Sequence, residues 1–148
     1  MVTHRCFNVK HKLFTPMHSP TTCLEDLSRI HNLTYLEKTF TIAGRLQEMD
    51  LSVEETVVMA SFAVLFPDRC DLEKAEKVEE SQWLMLYALQ YLLKKNHPNE
   101  PHLFAKAIAV ITEMRSLEHL RKKEEEKFVL DWSDKVELPQ LVYEVWST

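Results

Sequence analysis

The stretch LSVEETVVMASFAVLFPDRCDL, residues 51–72, decides the fold of this chain. Ser52 and Glu55 have the spacing of a capping box, so a helix begins here, and the proline of the stretch ends it. From Thr56 onward this helix is apolar on nearly every side. A helix without a polar face has to be covered from both sides, so residues 52–66 are predicted to form the middle layer of a helical sandwich.

Apolar residues at helical spacing predict further helices on both sides of this stretch. The predicted segments are 22–50 (two helices, the first opening at a Thr22–Glu25 capping box), 72–95, 101–123 and 139–147. The stripes expected to face the core are Leu36, Phe40, Ala43, Leu46 and Met49, then Val78, Leu86, Leu89 and Leu93, then Phe104, Ile108, Ile111 and Met114. Residues 128–132 are expected to cross to the last helix in an extended conformation.

The first 20 residues differ from the rest, because they alternate loosely between apolar and polar and are broken by Pro16 and Pro20. They predict a strand or a small β-ribbon. The chain has a single glycine, Gly44, which excludes a Gly-rich phosphate loop and argues against many tight hairpins. The predicted fold class is therefore all-α, a layered helical sandwich with a small β-ribbon near the N-terminus.

Composition excludes several functional classes. A net charge of -5 gives no electrostatic basis for binding nucleic acid. Three widely separated cysteines without a Cys-x-x-Cys pair favour a reducing compartment and neither a disulfide scaffold nor a zinc site. There is no apolar run of membrane-spanning length and no signal peptide. No catalytic arrangement or metal-ligand spacing is found, so we expect neither an enzyme nor a cofactor.

Arg69 and His97 are both expected to lie in turns. Arg69 follows the buried helix, and it is expected either to pair with Glu54 or Glu55 or to be a solvated arginine in a turn. His97 stands in a turn beside a proline, where a histidine is more often solvated than a ligand, and it is assigned no role.

The predicted helix at 101–123 carries a second stripe of small and polar residues, spaced alternately by four and three. Small residues at this spacing let another helix approach closely, which a two-helix dimer seam requires. The alternative is an exposed face that happens to be small. The residues assigned to the predicted seam are Ala105, Ala109, Thr112, Arg115, Ser116 and His119.

The terminal segment predicts a short amphipathic helix. Its apolar face is formed by Leu141, Val142, Val145 and Trp146, which so short a helix cannot bury by itself. Glu144 stands at the rim of this face, where it could accept hydrogen bonds from the free N–H groups that open a partner helix. Both a movable switch and a terminal helix that merely packs fit this pattern.

Several of these segments together resemble the ligand-binding domain of nuclear hormone receptors. They are residues 51–72, the start of a helix at 78–82, the segment from Phe104 to Leu117 and the closing residues 141–146, all in the family's order and spacing. The resemblance covers roughly residues 35–148. Within the family, Glu144-Val-Trp and residues 99–105 are most similar to the farnesoid X, liver X and ecdysone receptor group.

The resemblance implies a ligand-regulated transcription factor of the nucleus, with the cytoplasm as a second location. It implies a lipophilic small-molecule ligand and a heterodimer partner of the retinoid X receptor or ultraspiracle type, bound through residues 105–119. Glu144 corresponds to the acidic end of the clamp that holds Leu-x-x-Leu-Leu coactivator peptides, with Leu141, Val142 and Val145 packing the activation helix. Trp146 matches a ligand-switch tryptophan, whose partners would here be Arg121 and Leu117; the family group has a histidine where this chain has Arg121.

The resemblance also has gaps. The family's first helices and its zinc-bearing DNA-binding domain have no counterpart before residue 35. Residues 1–148 are therefore expected to be a partial ligand-binding domain, acting through dimerisation and coactivator recognition. The competing hypothesis is a helical protein-interaction module, or a decoy dimerisation partner, without a small-molecule ligand.

Overall fold

A computed structural model describes residues 5–29, 31–69, 72–132 and 140, with the side chains of 69 and 124–132 left out of the description. In chain order the elements are β1 (Phe7–Asn8), β2 (Leu13–Phe14), β3 (Thr22–Cys23), α1 (Leu24–Leu27), α2 (Leu33–Glu48), α3 (Val53–Val64), α4 (Ala75–Asn96) and α5 (Leu103–Trp132). A 3-10 turn, Pro67–Arg69, follows α3. The predicted class, layered helices with a small β-ribbon, is confirmed.

Side-chain caps explain where the two central helices begin. The Asn32 side chain accepts from the amide of Thr34 at 2.7 Å and opens α2. The predicted capping box opens α3: the Glu55 amide donates to Ser52 Oγ at 3.2 Å, and the Ser52 amide donates to Glu55 Oε2 at 2.8 Å. Each cap satisfies amides that have no partner within the first turn. At α1 the cap is Cys23 and not the predicted Thr22, since Cys23 Sγ accepts from the Asp26 amide at 3.4 Å.

The ribbon is a three-stranded antiparallel sheet in the order β1-β2-β3. Phe7 pairs with Phe14 in register, and their rings lie 4.8 Å apart. Phe7 also meets Phe40 of α2 edge-on at 5.0 Å, and its carbonyl accepts from Gln47 Nε2 at 2.8 Å. The ribbon therefore contacts α2 at Phe40 and at Gln47.

The helices form one core, in which α2 packs on α5, α3 on α4, and α4 on α5. The five predicted core residues of α2 are all buried, as are Leu89 and Leu93 of α4. On α5 the prediction is confirmed for Ile111, which is buried together with Leu103, Ala107 and Val110. The other predicted residues, Phe104, Ile108 and Met114, are half-buried and pack against the core. Because α5 is apolar over two adjacent stripes, spacing alone could not place the centre of its contact.

One further expectation was wrong, and another is not tested. The extended crossing predicted at 128–132 is helical, because α5 continues to Trp132. The charged run before it consists of Glu, Lys and Arg, which are good helix formers, and neither glycine nor proline interrupts this part of the chain. The short terminal helix predicted at 139–147 lies outside the described residues, apart from Gln140.

Among the described residues, α3 is covered on one side only. Its buried residues are Glu55, Thr56, Met59 and Phe62, whereas Val53, Val57 and Val64 are 63%, 53% and 78% exposed. Among the described residues α3 is thus covered on one side, and its cover on the second side stays a prediction. An apolar composition cannot distinguish a face that this chain covers from one that it leaves open.

Candidate functional site

An apolar cleft of about 410 Å³ lies between the ribbon, α2, α3 and α5. Its volume falls in the range of small-molecule sites, roughly 300–1,000 Å³. The walls come mainly from side chains that also belong to the core or its edge. The apolar lining residues are Phe7, Ile42, Ala43, Leu46, Ala60, Ala63, Val64, Ile111, Met114 and Leu117.

Polar groups are few in this cleft and stand mostly on two helices. Tyr35 and Thr39 come from α2, and the Thr39 hydroxyl is already used, donating to the Tyr35 carbonyl at 2.8 Å. Arg115, Glu118 and Arg121 come from α5. Apolar walls with a small number of polar groups favour a lipophilic molecule over a polar metabolite.

Two of the three predicted switch residues meet at this cleft. Leu117 and Arg121, one helical turn apart on α5, both line it. Trp146, the third member, lies outside the described residues, so its stacking on Arg121 stays a prediction. The coactivator residues Glu144, Leu141, Val142 and Val145 also lie outside the described residues.

The second stripe of α5 is exposed along its length. Ala105, Ala109, Thr112, Ser116 and His119 are all exposed, whereas Leu103 and Ala107 on another side of the same helix are buried. Its middle borders a second groove, of about 680 Å³, to which Thr112, Ser116 and His119 contribute. Among the residues that the structure describes, none buries this stripe.

Arg115, which was also assigned to the predicted seam, lines the same groove but has partners outside α5. Its guanidinium carbon lies 4.0 Å from the centre of the Phe66 ring, and its guanidinium pairs with the Asp68 carboxylate. Both partners follow α3, so Arg115 ties α5 to the segment between α3 and α4. Its side chain is 33% exposed and so less available to a partner than the rest of the stripe.

A buried polar cluster was missed from the sequence. The Glu55 side chain is 0% exposed and accepts from the Ser52 amide, from Asn96 Nδ2 at 3.0 Å, and contacts His97 Nε2 at 3.1 Å. Burial raises the pKa of Glu55, but these hydrogen bonds and the charge of His97 outweigh it, so the pKa lies below its ordinary value.

The cluster changes what was expected of two turn residues, His97 and Arg69. His97, assigned no role, contacts the only carboxylate that is buried among the described side chains. Glu55 has its partners at the end of α4, and the side chain of Arg69, the predicted partner, is not among those described. In the sequence only the capping box pointed to this cluster. It identifies Ser52 but neither Asn96 nor His97 as a partner of Glu55.

The described residues form neither a metal site nor a membrane-spanning helix. The described part of the chain contains no group of three or more His, Cys, Asp or Glu side chains that could hold a metal ion. None of its helices combines the length and the apolar character that crossing a membrane demands.

Layered helices, a small ribbon and an apolar cleft between them define the architecture of a nuclear-receptor-type ligand-binding domain. Comparison with family models agrees: the model described as the ligand-binding domain of nuclear hormone receptor matches residues 3–129. This chain therefore belongs to the family of nuclear hormone receptor ligand-binding domains.

Individual relatives support the family and not a narrower group. The chain is 31% identical to retinoic acid receptor alpha of Takifugu rubripes over 111 residues, 70% of this chain and 25% of the relative. It is 28% identical to nuclear receptor subfamily 1 group D member 2 of Rattus norvegicus over 118 residues, 80% of this chain and 20% of the relative. The chain thus spans a quarter or less of these relatives. They do not support the narrower resemblance to the farnesoid X, liver X and ecdysone receptor group.

Proposed function

We propose that this chain is part of the ligand-binding domain of a ligand-regulated nuclear transcription factor, and that it acts through dimerisation by α5. Family membership supports the class of protein. The observation that carries dimerisation is the exposure of Ala105, Ala109, Thr112, Ser116 and His119 along one line of a helix whose other side is buried. Small side chains on an open helix face let a second helix approach closely.

The proposed partner is a receptor of the retinoid X or ultraspiracle type. Such a partner would place its own helix along the stripe of α5. The seam would be centred near Ala109 and Thr112, since these are the middle residues of the stripe. The proposed location is the nucleus, where a receptor of this family acts on transcription.

The proposed ligand is a lipophilic small molecule bound in the cleft. Ten apolar side chains line it, and its volume matches a small-molecule site. Leu117 and Arg121 would contact such a ligand, since both line the cleft from α5. Ligand would then favour one position of the terminal helix over others, a shift of population between docked and undocked states.

Coactivator recognition is the second activity in this proposal. Glu144 would hold one end of a Leu-x-x-Leu-Leu helix, while Leu141, Val142 and Val145 would pack the terminal helix on the body of the domain. Family membership supports it. The test is binding of a fluorescent Leu-x-x-Leu-Leu peptide, compared between the wild-type chain and Glu144→Ala; equal affinities would refute the assignment of Glu144.

A protein-interaction module without a small-molecule ligand is the second candidate. The exposed valines of α3, Val53, Val57 and Val64, favour it, because they form an apolar face that the described part of the chain leaves exposed. Lipophilic ligands separate the two candidates. A compound that binds in the cleft raises the unfolding temperature, and the rise grows with the logarithm of its concentration above the Kd, whereas a module without a ligand shows no such rise with any lipophilic compound.

The α5 seam is tested by size-exclusion chromatography with a retinoid X receptor ligand-binding domain. Ala109→Glu places a charge in the middle of the proposed seam and is expected to weaken the complex by about tenfold or more. The matched control is Ala75→Glu, the same substitution at an exposed alanine in the first turn of α4. This control should leave the complex unchanged. If both variants bind like the wild type, α5 is not the seam.

A further inference from the structure

The outer face of α4 exposes a line of large apolar side chains. Trp83, Leu84, Tyr87 and Tyr91 are 50%, 63%, 62% and 65% exposed. The Trp83 and Tyr87 rings lie 6.0 Å apart, so they form one continuous surface. The core side of the same helix, at Leu89 and Leu93, faces in the opposite direction. Aromatic side chains grouped on a surface in this way mark an interaction site.

Charges at the two ends of this face give it a direction. Glu80 is exposed one turn before Trp83, and Lys94 is exposed one turn after Tyr91. Along the helix the face reads Glu80, Trp83, Tyr87, Tyr91, Lys94, in steps of three, four, four and three residues. These steps are symmetric about Tyr87, with an acid at one end and a base at the other. We call these five residues the α4 face.

We propose that the α4 face pairs two copies of this chain in an antiparallel arrangement, with Tyr87 on the two-fold axis. In this register Trp83 packs on Tyr91 of the second copy, and Tyr87 meets its own equivalent. Glu80 then lies against Lys94 of the second copy, and Lys94 against its Glu80. The contact is isologous: the same residues from both copies meet twice.

Charge complementarity selects a second copy as the occupant. Read in reverse, the α4 face presents base, aromatics and acid, which is the complement of its forward order. A parallel pair would instead oppose Glu80 to Glu80 and Lys94 to Lys94. The neighbouring exposed residues Glu79 and Lys95 follow the same relation, since they are also equidistant from Tyr87 and opposite in charge.

This contact is separate from the α5 stripe and does not depend on the function proposed above. It lies on a different helix, and it joins identical chains through aromatic side chains. One helix face buries less area than a standard interface, so the pair is expected to be weak and to form in a concentration-dependent manner.

Charge reversal tests the pairing in solution. Sedimentation velocity of the full chain, from micromolar to millimolar concentration, should show a monomer–dimer equilibrium. Each of Glu80→Lys and Lys94→Glu converts two attractive pairs into repulsive ones, and each is expected to weaken the dimer by about tenfold. The double variant Glu80→Lys/Lys94→Glu restores both pairs with reversed sign, and it should recover most of the wild-type association.

The matched control is Glu54→Lys, the same charge reversal at an exposed position of α3, which should leave this self-association unchanged. Loss of the dimer in this control would mean that a change of net charge alone prevents association, and it would overturn the proposal. So would a wild-type chain that stays monomeric throughout, or a double variant that is weaker than either single one.

Zero-length cross-linking of carboxylates to amines gives an independent reading of the register. Glu80 and Lys94 lie 14 residues apart on one helix, about 21 Å along its axis, so a direct link cannot form within one chain. A Glu80–Lys94 link therefore reports two copies. Dimers that cross-link without this peptide pair would contradict the antiparallel register.

Discussion

At the residue scale, Glu55 is the side chain whose environment departs most from what its type predicts. A carboxylate that is 0% exposed is stable only if its oxygens are paired. Here Ser52, Asn96 and His97 supply the partners, and they hold the pKa of Glu55 below the ordinary value despite the opposing effect of burial. The carboxylate thereby joins the start of α3 to the end of α4.

Replacing Glu55 with Gln is expected to lower the free energy of unfolding at neutral pH by about 1–3 kcal/mol. The amide nitrogen of Gln would face donors at Ser52, Asn96 or His97, so one hydrogen bond becomes a clash of donors. Urea denaturation at pH 7 measures this loss. The control is Glu54→Gln, which changes the same residue type at the neighbouring exposed position of α3 and should be nearly neutral.

The same residue predicts a pH dependence. Because the folded pKa of Glu55 is lowered, its stabilisation is complete above the unfolded value of 4.5 and is lost as the pH falls through the folded value. The difference in unfolding free energy between the wild type and Glu55→Gln should therefore shrink as the pH falls below about 4.5. A difference that is constant between neutral and acidic pH would show that the charge of Glu55 does not stabilise the fold.

At the element scale, the single glycine, Gly44, is where the turn of the ribbon comes close to α2. A Cβ added at Gly44 would lie 3.3 Å from Cγ1 of Val9, in the turn between β1 and β2. This is a tight contact with a flexible neighbour, since Val9 is half-buried at the edge of a short ribbon. The helix would gain from the substitution, because glycine in a helix interior costs about 1 kcal/mol relative to alanine.

Gly44→Ala is accordingly expected to stabilise the chain by about 0.5–1 kcal/mol, with Val9 moving by a few tenths of an ångström. Gly44→Leu serves as the comparison, because a side chain of that size has to displace the ribbon and should lower the unfolding temperature. Thermal unfolding measures both variants. If Gly44→Ala also lowers the unfolding temperature, the ribbon is fixed more firmly to α2 than its few contacts indicate.

At the scale of the whole molecule, α3 shows how the layers are arranged. Met59 is 0% exposed and packs in the common core, whereas Val57, two residues earlier, is 53% exposed. The helix thus has one side in the core and one side open, although its sequence is apolar on both. Among the described residues, this open side follows from how the helices pack and not from the local sequence.

A pair of substitutions on α3 measures this asymmetry. Met59→Ala is expected to cost about 2–5 kcal/mol, because it leaves a cavity in the core. Val57→Lys should change the unfolding free energy by less than about 0.5 kcal/mol, because the lysine stays in water. Chemical denaturation compares the two. A large cost for Val57→Lys would mean that this face is covered in the folded chain, as the sequence alone had predicted.

Some elements and site residues could be predicted from the sequence, and others could not. The capping box at Ser52 and Glu55 and the buried stripe of α2 were predicted because both depend on residues three or four positions apart. The continuation of α5 through 128–132 was missed, because an extended crossing to the last helix was expected there. The good helix formers that precede it favoured a continuous helix. At the cleft, Leu117 and Arg121 were predicted from the resemblance to the receptor family, whereas Phe7 and Val64 entered only with the fold.

The sequence by itself determined the helical class, the ribbon, the family and the stripe on α5, because capping, periodicity and motif order are local properties that can be read along the chain. Only the tertiary structure decided that Glu55 meets His97, that the cleft forms between the ribbon and α5, and that one side of α3 stays open. Glu55 and His97 are 42 residues apart. Contacts over such separations depend on how whole helices pack, and the packing is set by the summed burial of many side chains rather than by any one segment.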